Sequence, residues 1–202
     1  MKIAIIGSGI SGLSSALLLS HEHKITLIES DMRFGGHANT INVSTKNGSV
    51  PVDTGFIVYN TLNYPNLVGF FDFLNVETVS SDMSFAVSSG NGRLEYSGSL
   101  KGLFAQKKNL FNLSFYKMLK DIIRFFIFGY KYAYEIKSDE SLKDYLKRCN
   151  FSQEFINDHL IPMSSAIWSC PENEILNFPA KSLLTFFKNH QLINFIFRPK
   201  WR

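Results

Sequence analysis

The sequence predicts an α/β fold, and three observations carry that expectation. A short strand of buried type, Lys2-Ile3-Ala4-Ile5-Ile6, runs directly into Gly7-Ser8-Gly9-Ile10-Ser11-Gly12. A helix-forming run, Leu13 to Leu19, comes at once after it. A second strand, Lys24 to Ile28, then ends on an acid, Glu29. Gly7 permits a tight turn out of the strand, Gly9 lets the backbone approach a pyrophosphate without a Cβ in the way, and Gly12 allows the helix to pack close on the sheet. The helix N-terminus offers unpaired N–H groups and its positive dipole end to phosphates. Glu29, about 20 residues past the motif, is placed to hold a ribose hydroxyl pair. A secretory leader is the rival reading of this segment. The glycines and serines that break its apolar stretch, and the His21-Glu22-His23 flank, exclude it.

The residues after Glu29 depart from a plain nicotinamide-binding pattern, whose second strand passes into another helix. Arg33-Phe34-Gly35-Gly36-His37 brings a paired glycine soon after the ribose acid, which implies a second close approach of backbone to ligand. Arg33 either offsets pyrophosphate charge or is a solvated surface residue. Short strands come next: Ile41 to Ser44, a turn at Asn47-Gly48, then Val50 to Phe56. Asp53, in this second strand, also reads as a turn residue capping neighbouring N–H groups.

These strings resemble the flavin-containing amine oxidoreductase superfamily, which includes monoamine and polyamine oxidases, protoporphyrinogen oxidase and the carotenoid desaturases. The chain is most similar to a bacterial branch of predicted NAD/FAD-binding, amine-oxidase-like proteins. The residues carrying the resemblance are Gly7 to Gly12, Glu29, Arg33, Gly35 to Thr40, Asp53 to Asn60, Tyr64 to Asn66, Ile161 to Ser169 and Arg198 to Arg202. His37 departs from the oxidases proper, which usually have arginine there. The resemblance implies an incomplete Rossmann-type FAD-binding domain with an inserted, largely helical α+β substrate domain. It places Gly7, Ser8, Gly9, Ile10, Ser11 and Gly12 on the FAD pyrophosphate, Glu29 on the adenosine ribose and Arg33 on the phosphate side. Gly35 would also bind the cofactor, and Gly36, His37, Thr54, Gly55 and Phe56 would lie near the flavin end, with His37 alternatively a loop residue that touches no ligand.

Length and element order give a domain division at 1–60 and 61–202, and an expectation that the chain is an N-terminal fragment. A nucleotide-binding sheet needs more than two parallel strands, and no later apolar run with a helix before it supplies them. The resembling family is also about twice this length. Cys149 and Cys170 lie far apart without metal-ligand spacing, and His21 and His23 face different ways, so no metal site is expected. Reduced thiols fit a cytoplasmic setting.

The formal net charge is +4 over 202 residues. Seven bases (Lys107, Lys108, Lys117, Lys120, Arg124, Lys131, Lys137) stand against two acids (Asp121, Glu135) in 107–137, a local excess of 7 − 2 = +5. The same stretch is rich in aromatics, from Phe111 to Tyr134. It has two readings: a substrate-domain helix with solvated lysines, or peripheral contact with a lipid surface at the inner face of the membrane. The charges interrupt any membrane span. Nucleic acid is not expected, because bulky apolar residues dilute the bases.

In the second region Pro65 opens a helix reaching Leu74, and Val76–Val79, Ser84–Val87 and Leu94–Tyr96 read as strands, with a turn at 89–92. Helices dominate from Leu100. Ser138 or Asp139 is expected to cap one beginning near Glu140, Ser152 another, and Pro179 to start the last, Ala180–Asn189. Met163 and Trp168 are read as core rather than as pocket lining. The function implied is an FAD-dependent oxidoreductase that takes hydride from a hydrophobic substrate, with no catalytic residue legible. The alternatives are a flavin-dependent isomerase or desaturase acting on a lipid or polyene, and an inactive N-terminal fragment.

Overall fold

The computed structural model describes residues 1–133, 139–193 and 199–202. They form two compact units, Met1–Tyr59 and Asn60–Arg202. Expectations that fall on Ser138, on Tyr134, Glu135 and Lys137 of the basic stretch, and on Arg198 of the C-terminal string lie outside these residues.

The first unit begins with β1 (Lys2–Ile6), α1 (Ile10–Ser20) and β2 (Lys24–Ile28). The two strands pair in parallel with Ile3 opposite Ile25 and Ile5 opposite Leu27. Those four side chains share one face and are half-buried, whereas Ala4, Ile6, Thr26 and Ile28 on the other face are exposed. Strands apolar on both faces suit a parallel sheet covered on both sides. Parallel pairing among the described residues stops at these two strands, as the element order predicts. An antiparallel ribbon comes next, β3 (Asn39–Thr45) on β4 (Gly48–Gly55). Its loop is Lys46-Asn47, one residue earlier than expected, because Gly48 at φ +121° still pairs with Thr45. Only a residue without a Cβ takes that φ readily.

The second unit opens with α2 (Pro65–Leu74), carrying proline in its first turn, and a short antiparallel pair, β5 (Ala86–Ser89) and β6 (Leu94–Ser97). The strand expected at Val76–Val79 does not form, and β5 begins two residues later than predicted. The rest is helical: α3 (Leu100–Leu103), a 3₁₀ turn (Lys107–Phe111), α4 (Leu113–Ala133), α5 (Leu142–Arg148), α6 (Gln153–Phe155), a π turn (Ile156–Leu160), α7 (Ile161–Trp168), α8 (Glu172–Ile175) and α9 (Ala180–Asn189). Side-chain caps fix several starts. Asn112 Oδ1 accepts from the N–H groups of Ser114 and Phe115, and Ser152 caps α6 as expected. Ser141, not Ser138 or Asp139, caps α5, accepting from the N–H of Asp144.

Two apolar clusters hold this unit. The larger gathers Phe125, Tyr145, Phe155, Leu160, Ile175, Leu184 and Phe187; the smaller gathers Val87, Leu94, Tyr96, Phe115 and Met118. Met163 is buried in the larger cluster, and Trp168 packs on it against Phe186 and Phe187, so both are core residues.

Candidate cofactor-binding site

The glycine-rich turn between β1 and α1 is built from three glycines with three different reasons to be glycine. Gly7 sits at φ +93°, a region that side chains rarely occupy. A Cβ on Gly12 would overlap the carbonyl oxygen of Gly7, so the helix lies against the turn only because that Cβ is missing. Gly9 needs neither explanation. Its backbone is extended, at φ −69° and ψ −178°, and a Cβ there would meet nothing within 4 Å. The space beside Gly9 is open.

Helix α1 starts immediately beyond, with no side chain capping it and no acid in its first turn. Ile10 and Ser11, its first two residues, are exposed. The helix therefore presents backbone N–H groups and a partial positive charge at the edge of that open space.

The other predicted residues converge on this turn in a chain of close backbone approaches. Gly35 N–H donates to the Ser8 carbonyl at 2.9 Å, and a Cβ on Gly36 would come within 3.0 Å of Gly9 Cα. One residue on, the His37 carbonyl lies where a Cβ of Gly55 would be, so Gly55 is fixed by the same kind of contact. Phe56 then takes a left-handed conformation at φ +50° with its ring exposed. Thr54 Oγ1 donates to the Asn39 carbonyl at 3.0 Å. Glycine turn, paired-glycine loop and the end of β4 thus form one continuous small-residue surface.

Glu29 reaches back into the glycine turn. One carboxylate oxygen accepts from the Ser8 N–H at 2.7 Å and from the Ser8 hydroxyl; the other accepts from the N–H groups of Ser30 at 2.7 Å and Asp31 at 3.0 Å. The Ser8 hydroxyl first, then the Asp31 and Ser8 N–H groups, hold its pKa down at about 2. The carboxylate is ionised and ties the end of β2 to the glycine turn. A ribose hydroxyl pair arriving here would share or replace the Ser8 and Ser30 donors.

Arg33 has a role that was not legible in the sequence. Its guanidinium donates to the carbonyls of Phe34 at 3.1 Å, Ala38 at 3.0 Å and Gly36 at 2.6 Å, clamping the paired-glycine loop from inside. Asp53 also differs from the turn cap considered for it: it lies within β4 and accepts from the Thr40 hydroxyl of the facing strand at 2.6 Å.

The second unit holds a buried polar cluster that sequence reasoning missed. Tyr96 Oη donates to the Asp158 carbonyl at 2.9 Å and lies 2.8 Å from His159 Nδ1; Arg93 pairs with the Asp158 carboxylate at 2.6 Å. With the tyrosine proton on the carbonyl, Nδ1 of His159 carries the ring proton. Nε2 is then a buried lone pair without a partner among the described residues. Burial pushes the His159 pKa down to about 4. The signal was the Asn-Asp-His-Leu run, whose π turn becomes legible only in three dimensions.

Residues 5–74 match the family described as NAD(P)-binding Rossmann-like domain. No curated protein sequence matches the chain. Among solved structures, wild-type putrescine oxidase bound to putrescine shares the fold at TM-score 0.60 and 18% identity, over 100% of this chain and 46% of that one. An A394C mutant of putrescine oxidase gives 0.58 and 19%, over 100% and 45%. An oxidoreductase from Methanosarcina mazei gives 0.54 and 19%, over 95% and 43%. The chain therefore spans a little under half the length of these oxidoreductases and shares the fold of that portion.

Proposed function

We propose that this chain carries the pyrophosphate- and ribose-binding part of an FAD-dependent oxidoreductase, which takes hydride from a hydrophobic substrate. The observation that carries the reading is Gly9. No described residue requires glycine there, and the space beside it is open, as a ligand backed against the chain requires. FAD rather than a nicotinamide is favoured by the segment after β2. There a glycine loop clamped by Arg33 lies on Gly9 and leads into a ribbon, where a second helix would otherwise stand.

When bound, FAD would supply the hydride acceptor. The residues of this chain would position it. The first-turn N–H groups of α1 would face its phosphates, Glu29 would meet the ribose, and His37 with Thr54 to Phe56 would line the side toward the flavin. Of the 19 phenylalanines of the chain, Phe115, Phe125, Phe155 and Phe187 are spent on the core of the second unit.

The test is titration of the chain with FAD, read by flavin absorbance and fluorescence in the presence of excess NAD⁺. Saturable binding that NAD⁺ does not displace is expected, and undetectable binding overturns the assignment. Anaerobic mixing of the flavin-loaded protein with lipids, polyenes and amines then tests the oxidoreductase reading. Flavin that none of these bleaches sinks it.

A further inference from the structure

Helix α4 and the 3₁₀ turn before it present an outer face that the described residues leave uncovered. The inner face of α4 is spent: Phe115, Met118, Phe125 and the carboxylate of Asp121 are buried. At about 100° per residue, Tyr116, Ile123 and Ile127 fall on one line along the opposite side, with Leu113 and Lys120 beside it and Lys117 beyond. All of these are exposed, and the two residues at the helix entrance protrude furthest, Phe111 at 90% and Leu113 at 81% exposure. Solitary exposed apolar residues are ordinary, but a row of them along one helix face is not.

The charges decide what can cover this face. Residues 107–128 hold Lys107, Lys108, Lys117, Lys120 and Arg124 against a single acid, Asp121. That acid is buried, pairs with Arg124 at 3.2 Å and accepts from the Ser152 N–H. The residues of 107–128 thus make the exposed part of the face apolar and cationic, with Lys117 taken up in part by Glu154 of α6 at 3.5 Å and Lys108 donating to the Gly92 carbonyl. A symmetric contact with a second copy would set lysine against lysine. A surface of lipid phosphates satisfies both components: the apolar row enters the headgroup boundary while the lysine stems lie along it and their ammonium groups reach the phosphates. No helix among the described residues is long and apolar enough to cross a membrane, so the contact is peripheral.

We propose that the outer face of α4, from Lys107 to Phe128, docks this protein on an anionic phospholipid bilayer. The contact is independent of the cofactor site and holds whether or not FAD binds.

The experiment is co-sedimentation of the full chain with phosphatidylcholine vesicles, with and without phosphatidylglycerol, at low and high salt. Binding is expected on the anionic vesicles alone. Lys107→Gln and Lys120→Gln should each weaken it about fivefold. The double change Phe111→Ser with Leu113→Ser should weaken it at least about tenfold, with circular dichroism unchanged because neither side chain is buried. Val79→Ser, at an exposed apolar position elsewhere in the same unit, is the control and should bind as the parent does. No binding at any composition overturns the proposal. So does binding that the Phe111/Leu113 pair leaves untouched, or self-association that this pair abolishes in a protein without vesicle affinity.

Discussion

The two units of this chain are held together by different physics. In Asn60–Arg202, a dozen large side chains from Phe115 to Phe187 are almost completely removed from water. In Met1–Tyr59 only Ser8 and Tyr59 are buried, while Ile6, Ile10, Leu18 and Ile28 remain exposed. The first unit is instead defined by backbone pairing, by glycines whose Cβ would collide with a carbonyl, and by Glu29 and Arg33 spending their hydrogen bonds on nearby backbone. Close backbone approach sets shape without burying much apolar area, and burial is the larger source of stability. The second unit has its own reserve. The first gains stability from whatever binds its folded form, by mass action.

The sharpest way to break this comparison is to truncate one large apolar residue in each unit. Phe155, fully buried against Phe125 and Phe151, should cost about 3–5 kcal/mol as Phe155→Ala. Leu18→Ala, at 62% exposure on α1, should fall within about 0.5 kcal/mol of the parent in the same urea titration. Comparable losses at the two sites would mean that the first unit has a core after all.

A pH titration separates the units next. His159 is neutral in the fold, with a pKa near 4 against an ordinary value of 6.5, so unfolding takes up a proton between those values. Its contribution is complete above about pH 6.5 and is lost as pH falls toward 4, a change of about 3 kcal/mol. His159→Gln should flatten this acid limb in thermal melts of the second unit. An unaltered limb would assign the acid sensitivity elsewhere. Glu29, held near 2, stays ionised throughout the window, so the glycine turn should not titrate with it.

In the first unit the informative pair is Gly12 against Gly9. Gly12→Ala pushes a methyl into the Gly7 carbonyl and should destabilise the β1–α1 junction by about 1–3 kcal/mol. Gly9→Ala meets no protein atom, so the melt should be unchanged while FAD affinity falls. Loss of stability at Gly9 would remove the main support for a ligand beside it.

Legibility in the sequence divides along the same line. The β1–α1–β2 order, the hairpin and the glycine motif were readable because backbone rules are local: turns demand positive φ and helices demand caps. The partners of Arg33 and Asp53 were not, since each depends on which carbonyl or hydroxyl the folded loop brings within reach. In the second unit the helices at Pro65, Ser152 and Pro179 carried local punctuation and were found. The strand expected at Val76–Val79 had β-branched residues but pairs with no strand among the described residues, and strand propensity depends on the neighbour that covers it. His159 was invisible for a related reason, because the rings packed on it come from distant positions, Phe85 just before β5 and Tyr96 on β6.

The smallest expected effect tests whether surface charge in the second unit belongs to stability at all. Lys117 Nζ lies 3.5 Å from Glu154 Oε1, with the lysine largely in solvent. A pair this long and this exposed contributes under about 0.5 kcal/mol, because water and salt screen it and ordering two long side chains costs entropy. Lys117→Ala should therefore leave the urea midpoint in place. A clear drop would show that the α4 face helps to hold the fold together, and the lysines would then have a structural reason to be there. An unchanged midpoint leaves Lys117 without a measurable duty inside the protein, as expected of a charge placed for something outside it.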